Sequence, residues 1–68
     1  MNWLLIILVL NVANTGWEGY AYKFESKQDC WNFANEINNK QYHVNDEANK
    51  EGRVVVEQMY AWCEKTDG

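Results

Sequence analysis

The sequence predicts an α+β domain of order ββαβ: a three-stranded antiparallel or mixed sheet, order 2-1-3, with one helix packed on one face. Three observations lead there. Trp3-Leu4-Leu5-Ile6-Ile7-Leu8-Val9-Leu10 is an unbroken apolar run. Tyr20, Tyr22 and Phe24 alternate with Ala21, Lys23 and Glu25 at period two, as on a half-buried strand. Cys30, Phe33 or Ala34, and Ile37 recur at spacings of three and four behind Ser26, as on an amphipathic helix.

The first strand is placed at about residues 3–10. Its length suits a strand, and the turn-forming Asn11-Val12-Ala13-Asn14-Thr15-Gly16 follows it. Two other readings of residues 1–13 compete. A secretory leader has an apolar segment of this length, but this stretch has no Lys or Arg and a poor small-x-small cleavage site. A membrane span needs about 20 apolar residues, and the run breaks at Asn11 and Asn14, which leaves only a shallow anchor.

The second strand is expected at about residues 17–25, paired with the first as a hairpin. Ser26 reads as a helix N-cap, with Asp29 favourably placed in the first turn. The helix is expected over about residues 27–39, with the Asn38-Asn39 pair as its stop. A continuous stripe through 30, 34, 37, 41, 44 and 48 would permit one longer helix, but polar Gln41 interrupts it. Residues 39–52 therefore read as a loop with a short helical turn, ended by Gly52. Arg53 to Cys63 reads as the third strand, β-branched at its start and aromatic at its end. Lys65 to Gly68 reads as a frayed tail. Placing strand three beside strand one makes the most apolar strand central.

The chain is 68 residues long and carries a net charge of −4, with ten aromatic residues, nine Asn and no proline. That size allows one domain. The composition is too apolar for an acidic disordered tail and too poor in cysteine for a disulfide-dense miniprotein. The acidic balance speaks against nucleic acid as a partner, because no basic surplus exists to displace phosphate counterions. Of the 32 apolar residues, 11 fall within residues 1–13, which hold no charged side chain. Without them the aliphatic stock is thin: Ile37, Val44, Val54, Val55 and Val56.

This distribution predicts more apolar sheet surface than one helix can cover. The candidate interaction face comprises Trp3, Leu5, Ile7, Val54, Val56, Tyr60 and Trp62. A homodimer or a protein-binding face is the expectation, since monomers seldom leave such patches open. The alternative is that residues 39–52 fold over the second face.

Catalytic chemistry finds no support. His43 sits in the polar segment as a solvated residue, and the glutamates are scattered. No paired zinc-type spacing, phosphate-binding loop or nucleophile elbow is present, so neither an enzyme nor a metal or other cofactor is expected. A small ligand stacked on Trp17, Trp31, Trp62 or the tyrosines is a third functional reading. Cys30 and Cys63 fall at the same end of the proposed sheet, where a disulfide is geometrically allowed. The competing reading is two buried thiols behaving as small hydrophobes. Each cysteine adjoins a tryptophan, Cys30-Trp31 and Trp62-Cys63, which suggests one aromatic–sulfur cluster.

The apolar run after Met1, the Asn/Thr/Gly turn, Tyr22-Lys23-Phe24-Glu25-Ser26-Lys27-Gln28-Asp29-Cys30 and the late Cys63 together resemble small uncharacterised accessory proteins of marine bacteriophages, cyanophages among them. The nine Asn suit an AT-rich genome. Trp62-Cys63-Glu64 departs from the pattern, which has an aliphatic after the cysteine. The resemblance implies an accessory protein and transfers no catalytic residue. The expected site is the host cytoplasm; the alternative is an envelope or secreted protein with a Cys30–Cys63 disulfide, exported or tethered through residues 1–13.

Overall fold

A computed structural model describes residues 2–11, 13 and 16–66. Met1, Val12, Asn14, Thr15, Asp67 and Gly68 lie outside them, and with them part of the turn expected at 11–16 and of the tail expected at 65–68. The elements are β1 (Asn2–Asn11), β2 (Gly16–Phe24), α1 (Lys27–Lys50) and β3 (Glu57–Thr66). The sheet order is β2-β1-β3, with β1 antiparallel to both neighbours. This is the expected α+β architecture. The apolar run is the central strand because only a central strand buries flanks on both sides.

Two elements, α1 and β3, differ from the expectation. The helix does not stop at Asn38-Asn39 but runs to Lys50. Its 24 residues span about 36 Å at 1.5 Å per residue. The ten-residue β3 extends about 34 Å. One helix thus covers the full length of the strand beside it, and the expected loop at 39–52 is mostly helix. The third strand also begins and ends later than expected, at Glu57 and Thr66 rather than 53 and 63. Its limits follow β1: Asn11 pairs with Glu57, and Asn2 pairs with Thr66. Val54 and Val56 precede the strand because β1 offers them no pairing position, and Lys65 and Thr66 belong to the strand rather than to a frayed tail.

The helix ends are well determined. Ser26 is the N-cap, and its Oγ accepts the Asp29 N–H at 3.3 Å. At the other end Gly52 adopts φ 70°, the left-handed conformation that glycine takes at least cost. Gly52 N–H donates to the Asn49 carbonyl and Arg53 N–H to the Ala48 carbonyl, the paired bonds of a Schellman stop.

The core lies between α1 and one face of the sheet. It contains Leu5, Ile7, Cys30, Ala34, Ala61 and Cys63, with Trp3, Val9, Phe24, Trp31, Ile37 and Met59 packed around it. Cys30 and Cys63 are disulfide-bonded with Cα atoms 6.3 Å apart, in the usual range. The bond staples the first turn of α1 to β3, and no free cysteine is present. The reading as reduced thiols is therefore not the one realised. The expected two-tryptophan cluster also fails, because Trp62 points to the opposite face from Cys63 by strand alternation, while Trp31 packs on the core.

A third feature is absent from the expectation. The β3 residues Glu57, Met59 and Ala61 aim their backbone groups away from β1, toward side-chain amides of α1. Asn38 Nδ2 donates to the Ala61 carbonyl at 2.9 Å, and Asn38 Oδ1 accepts the Ala61 N–H at 2.9 Å. Gln41 accepts the Met59 N–H at 3.0 Å and donates to the Glu57 carbonyl at 3.4 Å. Asn45 and Gln58 exchange hydrogen bonds one turn further along. The spacing 38, 41, 45 places three amides on one helix face. They act as a fourth strand would, satisfying an edge that would otherwise be open to pairing.

Candidate functional site

Register assigns every sheet residue to a face, because directly paired residues share one. The face under α1 carries Trp3, Leu5, Ile7 and Val9 of β1, with Phe24, Tyr22 and Tyr20 of β2 and Cys63, Ala61 and Met59 of β3 beside them. The opposite face carries Leu4, Ile6, Leu8 and Leu10 down its centre. The two faces of β1 are thus equally apolar, and α1 lies on one of them.

The candidate interaction residues divide accordingly. Leu5 and Ile7 are buried under the helix, Leu5 being only 1% exposed, so they are core and not interaction residues. Trp3 lies on the same side, with the Lys27 ammonium 5.5 Å above its ring. Tyr60 and Trp62 pair with Leu8 and Ile6 and belong to the open face. Val54 and Val56 are exposed on the segment before β3 and lie on neither sheet face. The missed residues are Leu4, Ile6, Leu8 and Leu10. Only the register across strands could have found them, since the run is apolar at every position.

The open face is organised in rows across the sheet. Lys23, Leu4 and Glu64 form the first, and Ala21, Ile6 and Trp62 the second. Gly19, Leu8 and Tyr60 form the third, and Trp17, Leu10 and Gln58 the fourth. The β1 side chains on this face are half-buried. Trp17 is 69% exposed and Tyr60 48%. Trp62 Nε1 donates to Glu64 at 3.1 Å, which directs the indole along the strand. The alternative, in which residues 39–52 cover this face, is not realised: residues 39–50 are the second half of α1.

A second recess lies on the helix side, where α1 favours β3 and β1 and leaves β2 half bare. Leu5, Ile7, Tyr22, Phe24 and Phe33 line a groove of about 420 Å³ there, with Lys23 at its margin. Its lining offers no buried polar group to orient a ligand. Nearby, the exposed Tyr20 hydroxyl donates to Glu18, and that bond and the carboxylate's charge push the phenol above its ordinary pKa.

His43 is exposed on α1, on the helix rather than in a loop, with its ring 5.8 Å from that of Tyr42. Among the described residues no cluster of His, Cys, Asp or Glu has the arrangement of a metal site. No described helix is long and apolar enough to cross a membrane. Comparisons with family models, curated proteins and solved structures find no match to this chain.

Proposed function

We propose that this protein is a small, non-catalytic interaction module that binds a protein partner stoichiometrically through the Leu4–Ile6–Leu8–Leu10 face of its sheet. One observation carries the reading: α1 builds its core with Leu5, Ile7, Ala61 and Cys63 on the other face, and no described element packs over Leu4, Ile6, Leu8 and Leu10. Two-layer domains bury one sheet face under helices, and a second apolar face of this kind is a place for another molecule. An accessory role in a phage is what the sequence resemblance adds.

The test is native mass spectrometry on the chain isolated from its natural source. A stoichiometric protein partner or second copy is expected with the wild type and is lost in Leu8→Lys. The variant should retain its helical circular dichroism and its disulfide. A free monomer in both cases would end the proposal.

The disulfide favours a second reading for location, an oxidising compartment outside the cytosol. It does not favour a tether through residues 1–13, because Asn2–Asn11 are spent as the central strand.

A further inference from the structure

We infer that the occupant of the open face is a second copy of this chain, related by a two-fold axis running parallel to β1. This rests on the reading of that face as an interaction surface and names what binds it.

The inference follows from the left–right asymmetry of the rows. The β3 side is bulky, with Tyr60 and Trp62, whereas the β2 side beside them offers only Gly19 and Ala21. The first row is charged at both ends and oppositely so, Lys23 on β2 and Glu64 on β3. A two-fold axis parallel to the strands, lying between two such faces, sets β1 over β1 and β2 over the partner's β3 while keeping rows in step. Trp62 then meets Ala21 of the partner subunit, and Lys23 meets the partner's Glu64, twice per dimer. Tyr60 meets the shelf at Gly19, where the Trp17 ring approaches a Cβ position to 3.6 Å, giving an aromatic contact. Beyond it, Gln58 is turned toward Asn45 of α1, which leaves room beside the indole.

The other in-plane axis, perpendicular to the strands, matches poorly. It sets β3 on β3, bulk against bulk, and β2 on β2, small against small. It also places Lys23 and Glu64 against the uncharged fourth row. The parallel axis gives the self-complementarity that an isologous contact requires.

Sheets packed face to face align to within about 30°, a rotation that long Lys and Glu side chains can follow. Three strands about 4.8 Å apart and about 34 Å long give roughly 500 Å² of plan area per copy. The pair thus reaches about 1,000 Å², the lower bound of a specific interface, so a reversible dimer is expected.

The test uses the intact oxidised chain and two charge variants, Lys23→Glu and Glu64→Lys, followed by sedimentation equilibrium. Each variant alone replaces both attractive pairs by repulsive ones and should dimerise about tenfold more weakly. Mixed in equal amounts, the two variants restore both attractive pairs and should form a heterodimer of wild-type affinity. Raising salt to about 1 M, where the screening length is about 3 Å, should erase the difference. A dimer that ignores the charges, or variants that fail to complement, would overturn the two-fold arrangement. A monomeric wild type would overturn the second copy itself. In that case a different stoichiometric protein in the native-source experiment would leave the interaction reading standing, and its absence would remove both.

Discussion

Replacing Asn38 by alanine should destabilise the fold by about 1–2 kcal/mol. Asn38 is half-buried and makes two 2.9 Å hydrogen bonds, one to each backbone polar group of Ala61. A hydrogen bond contributes about 0.5–1.5 kcal/mol net, so the pair contributes about 1–3 kcal/mol. Alanine returns about 0.5 kcal/mol through its better helix propensity. With a urea m-value near 1 kcal/mol/M for so small a domain, the midpoint should fall by about 1–2 M. Asn39→Ala is the control: Asn39 is exposed, and the same propensity gain should raise the midpoint slightly. Denaturation is run at one fixed protein concentration, because association adds to apparent stability. If Asn38→Ala matched Asn39→Ala, the amide row would not hold the β3 edge.

Other perturbations probe the remaining parts of the fold. Reducing the Cys30–Cys63 bond, which spans a sequence separation of 33, should cost about 3–4 kcal/mol in the chain-entropy picture. Urea melts with and without reductant measure this, and a loss under 1 kcal/mol would contradict it. Leu5→Ala should cost about 3–5 kcal/mol because the side chain is fully buried. Leu8→Ala, on the open face, should cost under about 1.5 kcal/mol in the monomer yet weaken association about tenfold; equal stability losses in the two would refute the assignment of faces. Deleting residues 1–13 removes the strand that joins β2 to β3, and calorimetry should then show no cooperative transition.

Much of the architecture was legible because one segment dominates the apolar stock. A run such as Trp3–Leu10 has to be central, and that alone sets the strand order. The Ser26 cap and the Gly52 stop were readable because each depends on one local residue type. The full length of the helix between them was not, because Gln41 interrupts the apolar stripe and the Asn38-Asn39 pair reads as a stop. The amides of Asn38 and Gln41 instead bond a strand edge that comes later in the chain, and no local pattern announces such a partner. The open face was anticipated as a surplus of apolar area, but its membership was misassigned. A strand apolar at every position does not reveal which parity faces the helix, and Trp62 joins Ile6 only through a register fixed by the whole sheet. Val54 and Val56 have strong strand propensity but fall beyond the end of β1, so pairing overrides preference.

The most direct test of the account is sedimentation equilibrium on the intact, oxidised chain over a wide concentration range. The uncovered face predicts a reversible rise from the 8.0 kDa monomer toward twice that mass, abolished by Leu8→Lys. A mass that stays at 8.0 kDa up to about 1 mM, where even an affinity of −4.1 kcal/mol would register, would contradict it.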